Sequence, residues 1–204
     1  MINLENITVK FEDKLVLDKL NFSFENGKKY AILGESGIGK TTILNAISGL
    51  VKFHGNILKP SNEKVSFVFQ EPRLYDWLTV IENVTMVMHL PKVNAKQKAE
   101  EILSELGLAD SLNLYPTELS GGMKQRVSIA RALAFEPDIL LLDEPFRALD
   151  EQTKKKVADY VFSCVKGKTV IMVTHDLSDL CYTDTVLKIE DTPIRELVMV
   201  KSSI

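Results

Sequence analysis

The chain has 204 residues, 45% of them hydrophobic, and a formal net charge of −3. This length suits one domain with room for an inserted lobe, and the apolar content is enough to bury a core. The charge leaves no basic field of the kind nucleic-acid binding needs. No apolar run nears the ~20 residues of a membrane span, and Met1-Ile2-Asn3-Leu4-Glu5 has neither the basic nor the apolar region of a secretion signal.

Ile2, Leu4, Ile7, Val9 and Phe11 predict extended chain broken by a turn or bulge. Leu20, Phe22 and Phe24 alternate as a half-buried strand does. Asn26-Gly27 marks a turn. Lys29 to Leu33 reads as a strand entering Gly34-Glu35-Ser36-Gly37-Ile38-Gly39-Lys40-Thr41, and Thr41 to Leu50 reads as a helix ending near Gly49. A strand, a glycine-rich loop and a helix start, in that order, suit the binding of nucleotide phosphates. The loop's N–H groups turn inward on anionic oxygen, and the positive end of the helix adds to the field. Lys40 is expected to reach the β- and γ-phosphates, and Thr41 to offer its hydroxyl to Mg²⁺. An ordinary glycine turn would leave both flanks unexplained. His54 and His89 stand outside any ligand spacing and read as surface histidines.

Val65 to Phe69 is a further strand, and from about residue 76 to 136 the character turns helical. Asn94 is expected to cap a helix with apolar positions Ala95, Ala99, Ile102, Leu103 and Leu106, stopped at Gly107. Ser120 starts a second helix through Val127, Ala130 and Ala134 that ends before Pro137. Ile139 to Leu142 is a continuous apolar strand, covered on both faces, that ends in Asp143-Glu144. A strand tip is a rigid mount. Asp143 can order Mg²⁺, and Glu144 can take a proton from an attacking water. Alone, the pair could equally be a buried strand followed by a solvated acidic turn. Asp150 caps a helix whose expected buried stripe is Val157, Tyr160, Val161, Cys164 and Val165, and Lys154-Lys155-Lys156 lies on its solvated face. Val170 to Val173, Thr185 to Ile189 and Leu197 to Val200 are the remaining strands. Cys164 and Cys181 form no C-x-x-C pair and are expected as reduced, semi-buried thiols of a cytoplasmic protein.

Leu119-Ser120-Gly121-Gly122-Met123 places a serine and two glycines at a helix N-terminus, a second anion-binding geometry in one chain. A capped helix does not need two glycines in its first turn. With the phosphate loop before it and an apolar strand ending in Asp-Glu after it, the chain resembles the ATP-binding subunit of an ABC transporter over essentially its whole length. The resemblance implies an α/β P-loop NTPase of ABC type, with a mainly parallel sheet, an N-terminal antiparallel β part and an inserted helical subdomain. Its nucleotide-binding core would be about 1–75 and 137–204, and its helical subdomain about 76–136. Further motifs match one at a time. Gln70 stands where the family has a glutamine that contacts Mg²⁺ and the attacking water, followed by a segment facing the membrane subunit. Ala148-Leu149-Asp150 resembles the loop that crosses to a partner subunit. His175, in Thr174-His175-Asp176, resembles the switch histidine that senses the γ-phosphate. Phe11 matches the aromatic that stacks on adenine, with Phe in place of the commoner Tyr.

The resemblance thus assigns ATP to Phe11, Gly34, Glu35, Ser36, Gly37, Ile38, Gly39, Lys40, Thr41, Thr42, Gln70 and His175 in one copy. Ser120, Gly121 and Gly122 of a second copy complete the site. Mg²⁺ falls to Thr41, Gln70 and Asp143, and the catalytic groups are Glu144, Lys40, His175 and Gln70. It implies a homodimer closing on two ATP at the cytoplasmic face of a membrane, permease subunits as partners, a solute-binding protein as an indirect one, and no nucleic acid. Met123 departs from the signature's usual glutamine, and Arg147 stands where a small residue is commoner. The set Gln70-Glu71-Pro72-Arg73-Leu74, Trp77-Leu78-Thr79-Val80, the signature Met and Asp143-Glu144-Pro145-Phe146 resembles importers of nitrate, aliphatic sulfonates, taurine and thiamine-pyrimidine precursors. Two other readings stand beside it: a soluble ABC ATPase of iron–sulfur assembly, and a P-loop small-molecule kinase, which leaves Ser120–Gly122 and His175 without a role.

Overall fold

A computed structural model describes residues 1–200. Their backbone forms two compact units: Met1–Val65 with Asp138–Glu144 and the chain from Gly167 onward, and Ser66–Pro137 with Pro145–Lys166.

The first unit holds two sheets. β1 (Ile2–Phe11) and β2 (Lys14–Phe24) form an antiparallel hairpin, and β4 (His54–Leu58) pairs with the other edge of β1. β1 is one continuous strand. Its expected interruption is a bulge at Asn6, whose φ is +52°, and the pairing to both β2 and β4 shifts register across it. Sequence pattern misses β4, because His54-Gly55-Asn56 carries no alternation. Pairing with β1 holds it instead. Phe24 packs edge-on against Tyr30, ring centroids 5.0 Å apart.

The larger sheet has β3 (Lys29–Leu33) between β7 (Thr169–Val173) and β8 (Thr185–Lys188), with β6 (Ile139–Asp143) beyond β7, all parallel. β9 (Val198–Val200) closes one side antiparallel to β8. Within this unit the strand order is β6-β7-β3-β8-β9, and β5 (Val65–Val68) starts from its Val65. Every residue of Ile139–Leu142 and Val170–Val173 is buried, as continuous apolar runs require in a parallel sheet. Parallel pairing sets the C-terminal tips of β3, β6 and β7 along one edge, where open α/β sheets bind ligands. Gly34, Asp143 and Thr174 lie at those tips.

The second unit is helical. α4 (Gly121–Ala134) packs against α2 (Val80–Thr85), α3 (Lys92–Glu105) and α5 (Glu151–Cys164). Ser120 and Asp150 cap α4 and α5 through their side-chain oxygens, as expected. Asn94 does not cap α3: that helix opens at Lys92 behind Pro91, two residues earlier, because the fixed φ of Pro91 already sets its entry. Cys164 and Cys181 are both exposed rather than semi-buried. The apolar stripe of α5 runs through Val157, Ala158, Val161 and Phe162 and turns away from Cys164. Thr79-Val80-Ile81-Glu82 forms a capping box that starts α2, a signal present in the sequence but not read there. Among the described residues no helix is long and apolar enough to cross a membrane.

Asn83 on α2 is fully buried. Its Nδ2 lies 3.1, 3.0 and 3.1 Å from the carbonyls of Tyr75, Leu78 and Thr79, and its Oδ1 accepts from the Tyr75 N–H at 2.9 Å. One amide therefore organises the whole loop that carries Trp77. Asn83→Ala would leave these groups without partners, and should lower stability by about 3 kcal/mol in urea unfolding.

Candidate nucleotide site

The phosphate loop takes its shape from two glycines. Gly37 and Gly39 have φ of +78° and +117°, and Gly39 is the residue from which α1 (Lys40–Ser48) starts. A Cβ on Gly39 would stand 2.6 Å from Val16 Cγ1 and 3.1 Å from Ile194 Cδ1, so no other residue fits. Lys40 is only 6% exposed. Its Nζ donates to the carbonyls of Gly34 and Glu35, each at 2.8 Å, and so lies across the loop. Burial lowers its pKa, and the charges of Glu144 and Asp143 oppose that shift. Thr42 is buried behind the loop, its N–H bonded to the Gly39 carbonyl at 3.0 Å.

At the tip of β6, Asp143 is 3% exposed, and its Oδ2 accepts from Thr41 Oγ1 at 2.8 Å. Its Oδ1 is buried with no hydrogen-bond partner. Burial raises its pKa; Glu144 adds to the rise, while Thr41 and Lys40 hold it back. A buried carboxylate oxygen left open beside a threonine hydroxyl is a hard-oxygen pair that fits Mg²⁺. Glu144 follows with φ of +44°, an uncommon value for a side-chain-bearing residue, and its N–H donates to the Val173 carbonyl at 2.9 Å. Glu144 Oε1 lies 3.3 Å from His175 Nδ1. Phe11 stands 47% exposed at the end of β1.

The second unit carries the other matched residues. Ser120 caps α4, its Oγ accepting from the Met123 N–H at 3.3 Å. Ser120 and Gly121 are exposed. A Cβ on Gly122 would stand 3.0 Å from the Ala148 carbonyl oxygen and 3.3 Å from Leu149 Cδ2. The second signature glycine therefore lets the Ala148–Asp150 segment lie against the start of α4. Gln70 is exposed just past β5. The backbone before it is held by a residue that sequence reasoning missed: Gln125, 1% exposed on α4, donates from Nε2 to the Phe69 carbonyl at 3.3 Å. A glutamine two residues before the apolar run through Val127, Ile129 and Ala130 was the available signal. Phe69 is also stacked on Phe67 and covered by Arg73, whose guanidinium carbon is 3.8 Å from the ring centroid.

A family profile described as ABC transporter matches residues 17–147. The chain belongs to the ABC transporter family. The aliphatic sulfonates import ATP-binding protein SsuB 1 of Paracoccus denitrificans is 39% identical over 96% of this chain and 81% of its own. SsuB of Bacillus subtilis is 41% identical over 85% of this chain and 72% of its own. A dimeric structure of MJ0796, a bacterial ABC transporter cassette, superposes with a TM-score of 0.85 at 32% identity, covering 97% of this chain and 96% of that one. The same cassette in a post-hydrolysis state bound to ADP and Pi gives 0.84 at 31%. The chain is an ABC-type ATPase that uses ATP and Mg²⁺, and its expected α/β architecture with an antiparallel N-terminal sheet is the one found.

The cation of Lys40 and the carboxylate of Asp143 are held partly desolvated within the first unit. Because burial favours the protonated form of Asp143, the native chain holds more protons than the unfolded one between the ordinary carboxylate value and its own raised value. Stability therefore falls as pH rises through that window. Asp143→Asn should remove this loss and raise the Tm of the nucleotide-free chain at neutral pH by about 2–4 °C. The same variant should abolish the extra thermal stabilisation that Mg²⁺ adds to ATP. Differential scanning calorimetry with and without nucleotide reads both effects.

Proposed function

We propose that this chain is the ATP-hydrolysing subunit of a bacterial importer for small anionic solutes of the sulfonate class, closing as a homodimer around two ATP to drive permease subunits. One observation carries the reading: the chain holds both a phosphate half-site, with Lys40, Thr41, Asp143, Glu144 and His175 together, and a second anion-binding helix start at Ser120–Gly122. A kinase or a simple nucleotide-binding domain has no use for the second. The solute class is supported by relatives named for aliphatic sulfonate import at about two-fifths identity, and the homodimer by the dimeric cassette of similar structure.

The proposed roles follow from the geometry. Lys40 exchanges the Gly34 and Glu35 carbonyls for the β- and γ-phosphates. The loop from Gly34 to Thr42 cradles the remaining oxygens with its N–H groups, and Phe11 stacks on the adenine. Thr41 and Asp143, with Gln70, would hold Mg²⁺, which when bound supplies positive charge against the phosphate oxygens. Glu144 takes a proton from water as the water oxygen bonds to the γ-phosphorus. The bond from that phosphorus to the bridging oxygen breaks, and ADP leaves with the electron pair. His175 keeps Glu144 oriented from one side and meets the γ-phosphate on the other. Ser120, Gly121 and Gly122 of the second copy close over that phosphate, so hydrolysis removes the group that joins the two copies. The permeases would hold the chain at the cytoplasmic face of the membrane, and a solute-binding protein would deliver the cargo to them.

Glu144→Gln keeps every binding contact and removes the proton acceptor. It should accumulate an ATP-dependent dimer in size-exclusion chromatography and lower kcat by about a hundredfold or more; a variant that stays monomeric in ATP counts against the sandwich. The importer reading has its own check. Mass spectrometry of proteins co-purifying from gently solubilised membranes should find permease subunits. Soluble partners alone would move the reading to a soluble ABC ATPase.

A further inference from the structure

The side chain of His175 is 59% exposed, so packing around the imidazole does not aim it. What is fixed is the backbone on either side. Val173, the last residue of β7, accepts the Glu144 N–H at 2.9 Å. Thr174, only 2% exposed, comes next, and its hydroxyl is used twice. Oγ1 donates to Asp179 Oδ2 at 2.5 Å and accepts from the Asp176 N–H at 3.0 Å. Asp179 is equally buried, and its own N–H donates to the Asp176 carbonyl at 3.2 Å. Asp176 Oδ1 accepts from the Ser178 N–H at 2.8 Å. Between these anchors Leu177 is exposed, so no apolar contact of its side chain pins the turn.

A threonine hydroxyl has one proton to give. A buried carboxylate claims it, because a desolvated charge left without donors is unfavourable. The lone pair of the same oxygen is then left to the Asp176 N–H, and the 175–176 peptide plane is set by the direction of the first bond. The carboxylate at 179 thus reaches His175 through two hydrogen bonds and a peptide, without touching it.

We propose that Thr174 and Asp179 are positioning residues for hydrolysis, holding the 174–176 turn so that His175 Nδ1 meets Glu144. The inference rests on the reading of His175 as the γ-phosphate switch. Neither residue would contact nucleotide, so the pair should govern kcat and leave ATP affinity alone.

The test is a double-mutant cycle on the full chain, with kcat for ATP hydrolysis and the ATP Kd measured separately. Thr174→Val keeps the shape and removes the hydroxyl. It should lower kcat by about tenfold or more, as loss of a group that orients a histidine does, with Kd changed less than about twofold. Thr174→Ser should restore kcat. In a His175→Ala background, Thr174→Val should produce no further fall. Asp179→Asn, which keeps the volume and one acceptor oxygen without the charge, should give a smaller loss with the same dependence on His175. It decides the cycle if Thr174→Val does not fold. An equal fall in both backgrounds would make the pair a brace for the fold and overturn the inference, as would an undiminished kcat in both variants while His175→Ala is impaired. A His175→Ala chain with full activity would remove the reading of His175 and the inference with it.

Discussion

A 2.8 Å hydrogen bond from Thr41 to Asp143 joins the first turn of α1 to the tip of β6, and the first unit is arranged around that meeting. β3 and β6 lie on either side of β7, all parallel, so the loop leaving β3 and the carboxylate ending β6 arrive at the same edge. The register admits no slack. Displacing β6 by one residue would turn Asp143 to the opposite face and put an apolar side chain in its place. Four fully buried residues before it hold the strand where it is. The carboxylate is therefore presented with one oxygen bonded and the other open, in surroundings that burial makes unfavourable for its charge.

How much of this could be read beforehand depended on the range of the interaction. The glycine spacing from Gly34 to Gly39 is local and legible, because only particular residues allow the backbone its turns. The strands β6 and β7 were legible as unbroken apolar runs, and the caps of α4 and α5 as Ser120 and Asp150. Contacts over longer distances had no such mark. No local pattern announces that Thr41 will meet a residue 102 positions later; only the family resemblance, which gives Thr41 and Asp143 one Mg²⁺, brings them together, and nothing announces that Gln125 will hold the Phe69 carbonyl. β4 exists because β1 offers it an edge, which no pattern in His54–Leu58 records. Asn94 has the side chain of a good cap, but the fixed φ of Pro91 starts the helix before it. Cys164 was placed on a stripe that the helix carries past it.

The second unit sets the departures from the family pattern in context. Met123 lies in the first turn of α4, and what it gives the cap is its backbone N–H. Any residue but proline makes the same bond in that position, so the missing glutamine costs the cap nothing. Arg147 is exposed, one residue before the Ala148 carbonyl that Gly122 admits. The signature and the Ala148–Asp150 segment therefore share one packed surface. A displacement of either is felt by the other, which suits a pair proposed to read a second copy of the chain.

The ammonium of Lys40, resting on the carbonyls of Gly34 and Glu35, changes what nucleotide capture means thermodynamically. The loop does not wait with an idle cation; it is already occupied by its own backbone. In the role proposed for Lys40, phosphate would displace two hydrogen bonds to enter, and those bonds would re-form when it departs. Affinity is lowered by that exchange, and the departure of product is eased by the same amount. By the same argument a loop that held its lysine free would bind phosphate more tightly and release it more slowly. An internal competitor of this kind is what a motor that must let go, again and again, requires.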